Sequence, residues 1–344
     1  MFLRRTPSAL VVQTPAKLNL HFEVLARRAD GFHDVETVMV AVDLFDTLIF
    51  CSGTEPFEMA QDDVPGSPAK STTHGLSSAD GHSKGNIQFR SSWAVGLRAG
   101  RSGHELTEML GDLPCDSDNL VVRAIRLLEE RSGVAFPSDV MVQLVKRIPA
   151  AAGLGGGSSN AAAALLGANE LLDLRWSRER LADLAAELGS DIPFFLSTGA
   201  AVCRGRGEQI ESHAGWPPLH FVIVRPPFGL DTAKVYADCT PAARPVSAKP
   251  MLDLLKQGNP IGVGQRLFNR LEEPAMRLQP GIGQIKQWMR QLGLPGQQLT
   301  GSGSSYFAVC RNRAQARRAA KQLRGYALGH VFAVSSWSMP LLNV

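Results

Sequence analysis

The stretch with the clearest capacity for chemistry is the glycine-rich run AAAGLGGGSSN at residues 150–160, which leads into an alanine and leucine run. Its four glycines fall within five positions and remove the Cβ atoms that would keep a backbone away from a ligand. The following alanines favour a helix. A glycine loop at a helix N-terminus offers free N–H groups and a positive dipole end to phosphate oxygens, and Ser158 and Ser159 add hydroxyl groups.

Two common nucleotide-binding patterns do not fit this stretch. The pattern Gly-x-x-x-x-Gly-Lys-Ser/Thr is absent, since the nearest cations, Lys146 and Arg147, precede the glycines. The dinucleotide pattern fails because no acidic residue ends a second strand at the expected distance. A flexible loop capped by serine is the alternative, but glycine loops that open alanine-rich helices are more often ligand sites.

A second polar group lies on a predicted strand near the start of the chain. Apolar and polar residues alternate from Thr14 to Val24, which predicts a half-buried strand. Lys17 and Asn19 are two positions apart, so they project side by side from its polar face. Such a row is often solvated, because antiparallel sheets commonly expose one face, so a surface role and a ligand-binding role both stay open.

Asp191 is the third candidate. It follows a predicted helix that Ser177 caps and Gly189 ends. A carboxylate just beyond a helix C-terminus meets the negative end of the dipole, which is unfavourable for helix stability. Asp191 could instead cap the next short turn, which contains Pro193.

Phe32 and His33 follow a predicted Asp-Gly turn and stand at the entrance of a strand. That strand is predicted over 35–42, and a separate third strand over 46–50. The aromatic ring could belong to the core and the imidazole to the surface, or the two side chains could bind a ligand together.

The 344 residues exceed what one core usually holds, and two domains are expected, 1–216 and 217–344, with Trp216-Pro217-Pro218 at the junction. Serine, glycine and aspartate dominate two segments, at about 60–86 and 98–116, which are predicted to be mobile surface insertions.

The hydrophobic fraction of 44%, the charged fraction of 20% and the net charge of +4 are typical of a soluble globular protein. They lack the basic excess of nucleic-acid-binding proteins and favour a small, mildly anionic substrate. The five cysteines are widely spaced and never form Cys-x-x-Cys, so neither a disulfide framework nor a zinc site is indicated, and a reducing cytoplasm is expected. No apolar run is long enough for a targeting core or a membrane span.

Three motifs, taken in order, resemble those of the GHMP kinases, the superfamily of galactose, homoserine, mevalonate and phosphomevalonate kinases. They are PAKLNL at 15–20, GLGGGSS at 153–159 and TGSGSS at 300–305. Within the superfamily the chain is most similar to the kinases of 4-diphosphocytidyl-2-C-methyl-D-erythritol, through segments 28–33, 188–195 and 205–208. The resemblance covers nearly the whole chain except the two polar insertions.

The resemblance implies an α/β (α+β) fold of two domains with the active site between them. The N-terminal domain would be ribosomal-protein-like with a left-handed β-α-β crossover, and the C-terminal domain ferredoxin-like. The implied reaction transfers the γ-phosphoryl group of ATP to the 2-hydroxyl of the methylerythritol moiety, in the non-mevalonate isoprenoid pathway. Mg²⁺ would accompany ATP, although the sequence shows no dedicated carboxylate cage for it. A homoserine or mevalonate type of kinase, or a nucleotide or sugar sensor without turnover, are the alternatives.

The resemblance also implies roles for single residues. Asp191 matches the catalytic aspartate and Lys17 its partner lysine, so that the cation would hold the carboxylate ionised beside the reacting hydroxyl. The implied substrate-binding residues are Asn19, Phe32, His33, Thr232 and Tyr236. The implied ATP-binding residues are Asn119, Ala152, Gly153, Leu154, Gly155, Gly156, Gly157, Ser158 and Ser159, supported by a second glycine loop of Gly301, Ser302 and Gly303. Ser158 or Ser159 would be the contact for Mg²⁺.

The implied partner is a small molecule that carries a cytidine diphosphate group. His33 matches the residue that hydrogen-bonds the cytosine ring, and Phe32 and Tyr236 match the two rings that stack on it. One departure lies beside the loop, where Asn160 stands at a position that is often aspartate.

Overall fold

The structure is a computed structural model and describes residues 1–52, 87–94, 97, 110–111, 113 and 117–338. The predicted insertion at 60–86, and all of the one at 98–116 except residues 110, 111 and 113, lie outside the described residues. The first half contains β1 (Phe2–Arg5), β2 (Ala9–Arg27), β3 (His33–Ser52), β4 (Gln88–Trp93), α1 (Leu120–Ser132), β5 (Val140–Lys146), α2 (Gly156–Leu171), α3 (Arg178–Leu188), a 3-10 turn (Pro193–Leu196), β6 (Ala200–Arg204) and β7 (Gln209–Ser212). The second half contains β8 (His220–Arg225), α4 (Thr232–Ala237), α5 (Lys249–Lys256), α6 (Pro260–Gln265), β9 (Phe268–Asn269), α7 (Glu272–Leu278), α8 (Gly281–Gln291), β10 (Gly296–Leu299), β11 (Tyr306–Cys310), α9 (Arg313–Arg324) and β12 (His330–Ser335).

The long antiparallel pair of β2 and β3 is the spine of the first sheet. The main path of that sheet runs β1-β2-β3-β5-β4, while β6 also pairs with β3, β7 with β6, and β9 with β2. The predicted strand at 14–24 is confirmed and is part of a strand of 19 residues. The prediction that it is half-buried was wrong, because its polar residues Lys17, Asn19, His21 and Glu23 are all buried. The second half of the chain covers this face, where the Arg270 guanidinium donates to the Glu23 carboxylate at 2.7 Å.

The prediction of two separate strands over 35–42 and 46–50 was wrong, because β3 is one strand of 20 residues. Pro15 pairs with Phe45 and the next residue of β2, Ala16, pairs with Val42. Asp43 and Leu44 therefore have no partner on β2 and form a bulge, which bends the strand without ending it.

The helices of the first half pack on the face of this sheet. The glycine loop opens α2 as predicted, and Ala161 to Ala164 are fully buried in the core. The Ser177 hydroxyl accepts the N–H of Arg180 at 3.2 Å, which confirms the predicted N-cap of α3. Small side chains let α2 lie close to the sheet, so the loop in front of it is held on a rigid element.

The second sheet lies wholly in the second half and has the order β10-β11-β8-β12, with every pairing antiparallel. When the four strands are numbered by their order in the chain, their order across the sheet is 2-3-1-4, which is the predicted ferredoxin-like arrangement. The predicted α/β fold is thus confirmed. The boundary at 216/217 stays a prediction.

The two halves share a core. Leu18 and Leu20 of β2 lie in one buried cluster with Phe221 of β8 and Phe307 of β11. β9 adds to this connection because it pairs with β2 of the first sheet. In the described part of the chain, no helix is long and apolar enough to cross a membrane.

Candidate active site

A cavity of about 770 Å³ collects most of the predicted site residues. Residues from both halves of the chain form its wall. The predicted residues on this wall are Lys17, Phe32, His33, Gly153, Gly155, Ser158, Asp191, Thr232, Tyr236, Gly301, Ser302 and Gly303.

Two glycine loops pack backbone against backbone beside this cavity. A hydrogen bond joins Thr300 of one loop to Gly153 of the other, across a sequence separation of 147 residues. Gly153 has a φ of 73°, and a Cβ placed there would lie 2.3 Å from the Thr300 carbonyl oxygen. The Thr300 hydroxyl donates to the Gly153 carbonyl at 3.2 Å, and the Ser305 N–H donates to the Ala152 carbonyl at 3.1 Å. The second and third sequence motifs therefore form one unit, and glycine is required where they touch.

Lys17 is buried beneath the two loops, with 3% of its surface exposed. Its ammonium group donates to the Asn19 side-chain oxygen at 2.6 Å and lies 3.5 Å from the Asp191 carboxylate. The Asn19 amide in turn donates to the Thr37 hydroxyl at 2.8 Å. Asn19 does not line the cavity, so in this structure it holds Lys17 in position.

Asp191 faces the cavity and retains 39% of its side-chain exposure. The 3-10 turn that begins at Pro193 has no side-chain cap, so the alternative that Asp191 caps this turn was wrong. Among the described residues, its one ion pair is with Lys17. Gly207 comes close to it, since a Cβ there would lie 3.7 Å from the carboxylate.

Ser158 and Ser159 at the start of α2 have different environments. Ser158 lines the cavity. The buried Ser159 hydroxyl donates to the Pro15 carbonyl at 2.6 Å, and its N–H donates to the Gly155 carbonyl at 2.8 Å. Ser159 therefore ties α2 to β2, and Ser158 is the hydroxyl that a ligand can reach.

Several predicted ATP-binding residues lie behind the cavity wall. Asn119 is the N-cap of α1, where its side-chain oxygen accepts the Val121 N–H at 2.9 Å. The Leu154 carbonyl accepts the Lys17 N–H at 2.9 Å. The others outside the lining are Ala152, Gly156, Gly157 and Ser159. Contact of these residues with a ligand stays a prediction.

The aromatic group lies elsewhere on the same wall. The rings of His33 and Tyr236 lie 5.0 Å apart with an interplanar angle of 35°, and Phe32 is 51% exposed. Partial burial, together with the nearby Arg27 guanidinium, lowers the pKa of His33 below 6.5, so the ring is neutral at pH 7. Burial, with the Asp191 carboxylate as a second cause, raises the pKa of Tyr236.

Thr232 and Ser302 connect the second glycine loop to α4. Their hydroxyl groups lie 2.8 Å apart. Asp231 caps α4 by accepting the N–H of Ala233 at 2.9 Å, which fixes the start of the helix that carries Tyr236.

The sequence analysis missed a second lysine–aspartate pair, Lys146 and Asp46, in which both side chains are buried. The Asp46 carboxylate accepts the Lys146 ammonium, the N–H groups of Arg147 at 2.6 Å and Ile148 at 2.9 Å, and the Asn160 amide at 2.9 Å. These bonds join β3 and the end of β5 to α2 at the entry to the glycine loop. An aspartate at the head of the apolar segment DTLIF was the available signal.

The comparisons agree with this geometry. The family model "GHMP kinases N terminal domain" matches residues 119–199, and "GHMP kinases C terminal" matches residues 251–327. A 4-diphosphocytidyl-2-C-methyl-D-erythritol kinase of Pelotomaculum thermopropionicum is 35% identical over 311 residues, which cover 90% of this chain and 92% of that protein.

Two solved structures are also similar. A crystal structure of 4-(cytidine 5'-diphospho)-2C-methyl-D-erythritol kinase has a TM-score of 0.69 at 30% identity, covering 94% of this chain and 98% of that one. A homoserine kinase from Cytophaga hutchinsonii has a TM-score of 0.66 at 17% identity, covering 98% and 97%, and shares the fold. From its motifs, its two family-model matches and its relatives over nearly the full length, the chain belongs to the GHMP kinase family.

Proposed function

We propose that the chain phosphorylates the 2-hydroxyl group of 4-diphosphocytidyl-2-C-methyl-D-erythritol with ATP, in the non-mevalonate isoprenoid pathway. Its family makes it an ATP-dependent small-molecule kinase. The observation that supports this acceptor is that one cavity holds the Lys17–Asp191 pair, both glycine loops and the aromatic and imidazole rings of Phe32, His33 and Tyr236. The names of the similar proteins point to the same acceptor.

Asp191 is the proposed proton acceptor. Its carboxylate is open to the cavity, and the described residues give it one ion pair, so its oxygens can receive a hydroxyl group. The acceptor oxygen forms a bond to the γ-phosphorus, the bond from that phosphorus to the bridging oxygen of ADP breaks, and the hydroxyl proton passes to Asp191.

Lys17 supports this step in two ways. Its ammonium group lies 3.5 Å from the Asp191 carboxylate, where it forms an ion pair and orients that carboxylate. It also lies under both glycine loops, where a Cβ on Gly301 would be 3.3 Å from its ammonium nitrogen, so it is placed to offset charge that builds on the transferred group.

The N-terminus of α2 is the proposed receptor for the triphosphate. Gly155 is the N-cap residue with a φ of 70°, and the first N–H groups of the helix follow it. These groups have no intrahelical acceptor, and the positive end of the dipole favours phosphate oxygens. Ser158 adds a hydroxyl on the cavity wall.

Mg²⁺ is proposed as the counterion of ATP, where it would neutralise charge on the β- and γ-phosphates. The described residues contain no group of three or more histidine, cysteine, aspartate or glutamate side chains placed to hold a metal. Ser158 and Asp191 are oxygen donors of the kind that Mg²⁺ prefers, and both line the cavity. The residues therefore fit an ion held mainly by the phosphates, with Ser158 as the nearest protein hydroxyl.

The cytosine ring is proposed to lie among Phe32, His33 and Tyr236. A neutral imidazole offers one donor and one acceptor, which suits the hydrogen-bonding edge of a pyrimidine. We also propose a cytoplasmic location, because the described residues Cys203, Cys239 and Cys310 are buried thiols that form no disulfide.

A panel of acceptor alcohols tests the proposal. Purified protein with Mg²⁺-ATP is given 4-diphosphocytidyl-2-C-methyl-D-erythritol, 2-C-methyl-D-erythritol 4-phosphate, homoserine or mevalonate, and ADP formation and the phosphorylated product are measured. We expect turnover of the first compound alone. Equal turnover of an acceptor without the cytidine would refute the proposed cytosine site at Phe32, His33 and Tyr236. ATP binding without ADP formation would favour a sensor.

A further inference from the structure

The cations on the cavity wall suggest how the middle of the substrate is held. Apart from His33, the described residues that line the cavity include three cationic side chains, Lys17, Arg27 and Arg206, and one carboxylate, Asp191. Lys17 is already engaged with Asn19 and Asp191. Arg27 and Arg206 are therefore the two positive charges that remain for a ligand.

Arg206 lines the same cavity as Phe32 and Asp191, the two ends of the proposed substrate site. Its guanidinium carbon is 5.1 Å from the centre of the Phe32 ring. The next residue, Gly207, is the one whose Cβ would lie 3.7 Å from the Asp191 carboxylate. Residues 206 and 207 therefore connect the surroundings of the Phe32 ring with those of the Asp191 carboxylate.

Neither arginine is neutralised. Arg206 has one ion pair, with Glu208, at the long distance of 3.8 Å. Arg27 is exposed and forms no ion pair with the described residues. Its positive charge contributes to the lowered pKa of His33. Two guanidinium groups thus line one cavity, and the one ion pair found for them among the described residues is the long contact between Arg206 and Glu208. Planar guanidinium groups suit phosphate oxygens.

We propose that Arg206, assisted by Arg27, binds the diphosphate of the substrate and selects for acceptors that carry one. This inference rests on the proposed function. A cytidine diphosphate ester carries two negative charges between its base and its alcohol. Arg206 contacts Phe32 at the proposed base site, and the neighbouring Gly207 lies near Asp191 at the proposed alcohol site. The two negative charges of the diphosphate equal in number the two positive charges of Arg27 and Arg206 on the cavity wall.

A purely structural role for Arg206 predicts different behaviour. Its contact with Phe32 could simply hold that ring in place for the base. In that case, removal of Arg206 would have no further effect once the Phe32 ring is gone. Direct binding of the diphosphate requires that the loss of Arg206 weakens substrate binding whether or not the ring is present.

The test is a double-mutant cycle on the KM of the cytidine diphosphate substrate with saturating ATP. The variants are Arg206→Met, Phe32→Ala and the combination, with Arg206→Lys as the conservative replacement. We expect Arg206→Met to raise this KM roughly 10- to 50-fold in both backgrounds, and Arg27→Met roughly 3- to 10-fold. The KM for ATP should stay within about twofold, and Arg206→Lys should recover part of the loss.

Arg318→Met is the matched control, because it removes the same charge from the exposed face of α9, away from the cavity. It should leave both KM values unchanged. No effect of Arg206→Met in the Phe32→Ala background would overturn the inference, as would an equal effect of the control. Absence of turnover by the unaltered chain would instead refute the proposed function, so the two failures are distinguishable.

Discussion

Lys17–Asp191 and Lys146–Asp46 are two lysine–aspartate pairs that serve the same glycine loop but differ in how completely their charges are satisfied. A Cβ on Gly155 would lie 2.9 Å from the Lys17 side chain, and a Cβ on Gly156 would lie 3.0 Å from the Lys146 ammonium nitrogen. Asp46 has no exposed surface and accepts four hydrogen bonds, whereas Asp191 is 39% exposed and has one long ion pair.

The difference separates structure from chemistry. A carboxylate whose lone pairs are all occupied can hold backbone segments together but cannot receive a proton from a ligand. A carboxylate with one partner and an open face can. Residue type and pairing alone therefore do not identify a catalytic aspartate, and the number of unoccupied acceptor sites does.

Disruption of the fully buried Lys146–Asp46 pair should give the largest effect on stability. Asp46→Asn removes the charge that compensates buried Lys146 and turns an acceptor of two N–H groups into a partial donor. We expect a loss of about 3–5 kcal/mol in the free energy of unfolding, measured by urea denaturation. The exposed Asp183→Asn on α3 is the control and should stay within about 0.5 kcal/mol. A stable Asp46→Asn variant with impaired turnover would contradict the structural role.

Gly153→Ala should affect both pairs, since it separates the two glycine loops. The added methyl group would lie 2.3 Å from the Thr300 carbonyl oxygen, at a residue whose φ is 73°. We expect the free energy of unfolding to fall by about 2–3 kcal/mol and turnover to be clearly reduced. Thermal melting measures the first effect and ADP release the second. Gly283→Ala has open space around its Cβ and lies in α8, so it should be neutral or slightly stabilising.

The two serines provide a smaller version of the same contrast. Ser159→Ala removes the buried bond to the Pro15 carbonyl and should cost about 1–2 kcal/mol of stability. Ser158→Ala should leave stability within about 0.5 kcal/mol and raise the KM for ATP by a few-fold. The reverse pattern, measured on both variants by melting and kinetics, would place the ligand hydroxyl at Ser159.

The pH dependence of substrate binding should give the smallest effect. Because the pKa of His33 is lowered, its ring stays neutral as pH falls from 8 to about 6.5 and becomes protonated only below that value. The KM for the substrate should therefore be flat above pH 6.5 and rise below the lowered pKa, by less than about tenfold. His33→Gln should remove that rise, and its persistence in this variant would assign it to another group.

Local features of the fold could be predicted from the sequence, and contacts between distant segments could not. The alternation at 14–24, the cap at Ser177 and the glycine loop that opens α2 all depend on neighbouring residues. The break expected between 42 and 46 was wrong, because a bulge that keeps a strand intact depends on its partner strand, here at Pro15 and Ala16.

The site shows the same division. The resemblance identified Lys17 and Asp191, and the structure places them 3.5 Å apart. It included Arg206 only as part of segment 205–208, without a role, and it did not include Asp46. Both act across long sequence separations, where spacing and periodicity carry no signal.

The rate of phosphoryl transfer in Asp191→Asn, measured together with its melting temperature, tests the central claim most directly. The substitution keeps the size of the side chain and removes the charge that would receive the proton. We expect turnover to fall by roughly 10²–10⁴-fold, with the KM for the substrate and the melting temperature nearly unchanged. A variant that melts early yet turns over normally would contradict the account and make Asp191 a structural residue like Asp46.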